Sequence, residues 1–192
     1  MGKGAEKVLT YKHPMYFDYA KSNIRSDFLD FWIISRCYFS IATGTGIDEL
    51  CSIYKSPVVD TNMLPFADIR SFRTNNISIF KKIKYKKSLK YLSLSESIKN
   101  LLFSDINLLT TRFRKDFIFQ NNSADEILNV VKEMEKLLSK TYKTKPISIK
   151  QKKFWKIYKS SFKYKRLHGE NAYNYSKICY NNKYLYKDMP LS

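Results

Sequence analysis

Thr43, Gly44, Thr45 and Gly46, followed closely by Asp48 and Glu49, are the residues whose types and order could do chemistry. Two glycines let a backbone turn tightly and bring its N–H groups close to a ligand. A helix beginning near Gly46 would aim its unpaired N–H groups, and the positive end of its dipole, at whatever lies over the turn. That favours an anion such as the diphosphate of a nucleotide or nucleotide-sugar. The order Gly-Thr-Gly lacks the third glycine of a dinucleotide fingerprint and the Gly-Lys-Ser/Thr ending of a P-loop. A plain strand-to-helix turn, with Asp48 and Glu49 as ordinary first-turn acids, accounts for it equally well.

The flanking pattern supplies the elements that would position this turn. Residues 37–42 are aromatic and β-branched, as a buried strand should be, and residues 47–54 and 57–61 read as a helix and a second strand. Two strands joined by one short helix imply a parallel pair. Ser26 is an N-cap for a largely buried helix over 27–36, with acids in its first turn and Arg36 at its end. Arg25, just before that helix, would either neutralise a phosphate or pair with Asp27 or Asp30. Asn62 closes the second strand, where open α/β sheets bind ligands and where a turn equally favours asparagine. Further on, 77–83 alternates as a strand and Ser93 to Glu96 is a capping box for a helix to about Phe103. A short strand is expected at 116–120. Ser123 to Glu126 is a second capping box, before a helix carrying Ile127, Val130, Val131, Met134, Leu137 and Leu138. After a lysine-rich linker around Pro146, 150–162 and 171–180 read as aromatic helices packing back on the sheet. The expected class is therefore α/β, with a domain over 1–140 and a helical extension over 150–192.

With 192 residues, 44 % of them hydrophobic, the chain can bury a real core. Its longest apolar run, around 28–34, is too short to span a bilayer, and the N-terminus lacks a signal-peptide hydrophobic region, so a cytoplasmic location is expected. Cys37, Cys51 and Cys179 are widely spaced and expected to be reduced thiols, with neither a disulfide framework nor zinc spacing. The formal charge is +18, from 35 Lys and Arg against 17 Asp and Glu. It concentrates in two blocks, residues 81–90 and 140–166, which would attract anionic lipid, nucleic acid or phosphorylated substrates. Abundant Lys, Asn, Ile and Tyr are also what AT-rich coding produces.

The order of several motifs resembles the C-terminal part of a bacterial family assigned as glycosyltransferases and found with surface-polysaccharide genes. The matching pieces are Arg-Ser-Asp-Phe-Leu-Asp from Arg25, Thr-Gly-Thr-Gly-Ile-Asp from Thr43, and Pro57-Val58-Val59 with Asn62 and Pro65. Asn122 through Ile127, Phe154-Trp155 and His168-Gly169-Glu170 follow. The segment from Gly46 to Pro57 also looks like that of sugar-nucleotide 2-epimerases, which share the two-domain GT-B architecture. The resemblance implies a Rossmann-like, nucleotide-sugar-binding half of that fold, with Arg25, Thr43, Gly44, Thr45, Gly46, Asp48, Glu49 and Asn62 around the donor. By the same likeness the glycine turn holds the donor diphosphate and Asp48 or Glu49 takes ribose hydroxyls, although Leu50 stands where the epimerases have a second glutamate. It further implies transfer of the sugar to a saccharide or lipid-linked acceptor, at the inner face of the cytoplasmic membrane. The donor is a substrate, and neither a cofactor nor a metal is expected. Members of that family carry a long N-terminal region ahead of the match, so the chain looks truncated: a fragment of a broken gene, one half of a split gene with its other domain separately encoded, or the product of a mis-called start.

The alternative reading is a non-catalytic basic module that binds nucleic acid or anionic membrane, with Tyr and Phe among the lysines available for stacking, or an inactive remnant. Nucleic acid is the less favoured partner. His13 and His168 read as structural or helix-boundary residues, and no catalytic residue is assigned.

Overall fold

The computed structural model describes residues 10–64, 69–70, 73, 75–99, 115–139, 149–160 and 176–178. Helix α1 (Asp27–Arg36) starts where Ser26 Oγ accepts the Leu29 N–H at 3.2 Å. Strand β1 (Ser40–Ala42) leads through a 3-10 turn (Gly46–Asp48) into α2 (Glu49–Ile53), and β2 (Val58–Met63) pairs parallel to β1. The glycine turn and short crossover thus stand as the pattern required.

β3 (Asn76–Phe80) adds parallel to β2, and β6 (Ser176–Ile178) adds parallel to β3, giving the order β1-β2-β3-β6. The chain is α/β and Rossmann-like. A helix was expected over 171–180; its described part is instead this fourth strand. The reason lies in β3, whose second edge offers a row of backbone N–H and C=O groups that the backbone of Ser176–Ile178 satisfies. The strand expected over 77–83 is also divided. It leaves the parallel sheet at Lys81, whose N–H donates to Met63 O at 3.2 Å, and continues as β4 (Lys82–Tyr85), antiparallel to β5 (Phe117–Gln120).

Strand alternation sends neighbouring residues to opposite faces. Val58, fully buried, joins Ile34, Ala42 and Cys51 beneath α1 and α2. Val59, Ile77 and Ile79 face the larger core, which holds Val130 and Met134 of α4 (Ala124–Leu138) and Phe154, Trp155 and Tyr158 of α5 (Ile149–Lys159). The second capping box forms in full, Ser123 N–H donating to Glu126 Oε2 at 2.7 Å and Glu126 N–H to Ser123 Oγ at 3.2 Å. The other oxygen of this buried glutamate meets Lys82 Nζ at 2.5 Å, tying α4 to β4. Helix α3 (Leu94–Lys99) opens on the Ser93–Glu96 box in the same way.

One expectation is corrected at α1. It buries only Asp30 and Ile34, while Phe28, Phe31 and Trp32 are 72 %, 47 % and 52 % exposed. A helix laid over a three-residue edge strand has little surface to cover, so one line of side chains meets the sheet.

Burial under α2 also separates the two described thiols. Cys51 is 2 % exposed and its thiol is pushed up chiefly by burial, whereas Cys37 is half-buried, its Sγ–H donating to Ile34 O at 3.2 Å. Because the thiolate is the nucleophile, iodoacetamide at neutral pH will alkylate Cys37 well before Cys51 in the native protein. Peptide mass spectrometry over a time course checks this, and equal rates would show that α2 does not stay closed over Cys51.

Candidate functional site

The turn after β1 lies at the carboxyl edge of the parallel sheet, where folds of this class bind ligands. Thr61 Oγ1 donates to Ala42 O at 3.0 Å and so pins the end of β1 to β2. Thr43, Gly44, Thr45 and Gly46 are all exposed. Gly44 has φ +80°, which explains its glycine, since a Cβ there would meet only Met63 Sδ at 3.6 Å and the side chain's end beyond it. At Gly46 the fold makes no such demand. A Cβ there would have nothing within 4 Å, so it would project into open space over the turn.

Asp48 closes the turn on itself. Its carboxylate Oδ2 accepts the Thr45 N–H at 2.6 Å and its own N–H donates to Thr45 O at 3.0 Å. Glu49 accepts from Arg70 Nε at 2.8 Å, pairs with Arg70 Nη2 at 2.8 Å, and lies 3.7 Å from Arg73 Nη2. Both acids offered as ribose partners thus already hold protein donors. Arg25 takes the ion-pair arrangement, its Nη2 donating to Asp30 Oδ2 at 3.0 Å on α1. Asn62 adopts φ +54°, a conformation asparagine tolerates. Its N–H donates to Asn122 Oδ1 at 2.7 Å, and its Oδ1 accepts the Asn122 N–H at 2.6 Å. Asn122 Nδ2 donates in turn to Phe80 O at 2.9 Å. This reciprocal bracket joins the ends of β2 and β3 to the entry of α4, close to the glycine turn through Met63.

The sequence reading missed a buried polar network beneath α2. Asp60 on β2 is 1 % exposed and lies 3.4 Å from Arg73 Nη1, while its other oxygen accepts from Ser78 Oγ at 3.3 Å. Arg73 also donates through Nε to Ser52 Oγ at 2.7 Å and through Nη2 to Asp48 O at 2.9 Å. Burial pushes the Asp60 carboxyl above its ordinary value; Arg73, Asn76 and Ser78 pull it down, and burial prevails. A carboxylate so enclosed cannot touch a substrate. It locks β2, β3 and α2 together under the candidate turn. An acid within the run Val58-Val59-Asp60-Thr61 was the signal that could have found it.

The described aromatic residues among the lysines pack against other protein groups. Tyr85 packs on Phe117 with centroids 5.5 Å apart, Phe154, Trp155 and Tyr158 are buried, and Lys84 Nζ sits 4.4 Å over the Tyr91 ring. His13 is held locally, stacked on Tyr11 at 6.0 Å with Nδ1 accepting the Met15 N–H at 3.1 Å, beside a shallow concavity of about 450 Å³ that no turn residue lines. His168, Cys179 and the linker around Pro146 lie outside the described residues. Among those described, no cluster of His, Cys, Asp or Glu could hold a metal, and no helix is long and apolar enough to cross a membrane. The chain matches no protein-family model, no curated protein and no solved structure.

Proposed function

We propose that this chain binds a nucleotide-sugar through its diphosphate at the turn 43–46 and serves as the donor-binding part of a glycosyltransferase. The observation carrying the reading is the exposed turn itself: Gly44 at φ +80° on the carboxyl edge of a parallel sheet, with Gly46 opening a helical turn beside empty space. Asp48 N–H is the first in that turn to close on a carbonyl, so the N–H groups of Gly46 and Ile47 precede it at a helix start. Such groups would take charge developing on a leaving diphosphate and keep the donor oriented while its sugar is attacked. Arg25 would contribute by exchanging Asp30 for a phosphate oxygen, and Asn62 by shaping the rim. Asp48 and Glu49 serve the turn first, through the contacts described, and their remaining lone pairs would be what a ribose meets. The acceptor saccharide or lipid-linked sugar, at the cytoplasmic membrane face, would come to the same edge.

A thermal-shift titration with UDP, GDP, CMP and their sugar conjugates tests the reading. One ligand at a hundredfold its Kd will stabilise the native protein by about 2.7 kcal/mol, raising the melting temperature by roughly 5–10 °C. In Gly46→Val, whose Cβ would have nothing within 4 Å, the ligand-free melting temperature will change little and the shift will vanish. A wild-type protein that melts cooperatively and responds to none of these nucleotides sinks the proposal.

A further inference from the structure

We infer that the turn after β4 is a docking loop for an anionic lipid surface, independently of whether a nucleotide-sugar binds elsewhere. From Lys81 to Tyr91 the chain carries six lysines and no acid, and one of them, Lys82, is occupied by Glu126. Residues 86–90, Lys-Lys-Ser-Leu-Lys, are all exposed. At their tip Leu89 is 63 % exposed and held at φ +56°, a conformation that costs a branched, non-glycine residue free energy. The loop is braced in this form: Leu89 N–H donates to Tyr85 O at 2.9 Å, Tyr85 N–H to Lys90 O at 2.9 Å, and Lys86 N–H to Asp116 O at 2.8 Å. Lys115 and Asp116 lie exposed alongside and cancel each other.

An aliphatic tip ringed by Lys86, Lys87 and Lys90 suits an interface that is anionic outside and apolar beneath. The lysines face headgroup phosphates within a Debye length, and Leu89 enters the acyl boundary. Nucleic acid would satisfy the charge but not the leucine, and the neighbouring rings are engaged, half-buried Tyr85 packing on Phe117 and Tyr91 lying under Lys84 Nζ.

Flotation with vesicles of phosphatidylcholine, alone or mixed with phosphatidylglycerol, tests the assignment on the full chain. The protein will partition onto the mixed vesicles only, and raising salt from about 0.05 M to about 0.5 M will release it. Lys86→Gln/Lys87→Gln/Lys90→Gln will lower the partition coefficient by about fivefold per lysine, on the order of a hundredfold together. Leu89→Asn, which suits the positive φ and so keeps the loop folded, will lower it about tenfold without changing the salt dependence. The exposed triple Lys132→Gln/Lys136→Gln/Lys152→Gln will act as wild type. Equal losses in the two triples, no effect of Leu89→Asn, or absence of binding to anionic vesicles at low salt each overturn the proposal. So does a single-stranded oligonucleotide that binds more tightly than the vesicles and is lost in the loop triple.

Discussion

Arg73→Ala will destabilise the protein by about 3–5 kcal/mol in urea denaturation at neutral pH, because it leaves the Asp60 carboxylate buried without its counter-charge. Asp60 is 1 % exposed, and Arg73 is its nearest cation at 3.4 Å. The double variant Arg73→Ala/Asp60→Asn will recover most of that loss, since an uncharged amide in the same place keeps a hydrogen bond with Ser78 and no longer needs the guanidinium. The pH dependence has a definite sign. Burial raises the Asp60 carboxyl in the folded state above its ordinary 3.8, so its favourable contribution is fully present below 3.8 and is lost as pH rises through the higher folded value. Compared with Asp60→Asn, wild type will therefore weaken as pH rises above 3.8, and the weakening will be steeper in Arg73→Ala. A cost below about 1 kcal/mol for Arg73→Ala would show that the pair does not lock β2 to α2.

Phe154→Ala will cost about 3–5 kcal/mol and lower the melting temperature by roughly 10 °C. Its ring is 2 % exposed, stacked on Phe80 of β3 at 6.0 Å and on Tyr158 at 5.5 Å, with Trp155 edge-on at 5.4 Å. Truncation removes an aromatic side chain from the point where α5 meets the sheet, and neighbouring rings cannot collapse into the space without leaving each other. Phe154→Leu, which keeps most of the volume, will cost clearly less. Wild-type melting in the alanine variant would mean that α5 does not close the larger core.

Local hydrogen bonding made three helix starts readable. At Ser26, Ser93 and Ser123 the cap and its partner lie three residues apart, so neighbouring side chains suffice to set them. The β1-turn-α2-β2 unit was readable for a similar reason, a positive-φ glycine and a helix-containing crossover of the length that parallel strands need. The exposure of Phe28, Phe31 and Trp32 was not. Apolar spacing tells which residues share a helix face, but burial depends on how much sheet lies beneath it, and β1 supplies three residues.

The candidate site divides along the same line. Residue type and order alone determine that a glycine turn follows a strand and precedes an acidic helix start, because the steric freedom of glycine and the capping of N–H groups act over a few residues. Partner choice needed the folded chain. Asn62 meets Asn122, Glu49 meets Arg70, Asp60 meets Arg73 and Ser78, and residues 176–178 become a strand on β3 rather than part of a helix. Each of these joins groups far apart in sequence, brought within hydrogen-bonding reach by sheet register and by the burial of the surfaces around them. Under burial an unmatched polar group is expensive, so the geometry of the interior selects which distant groups meet.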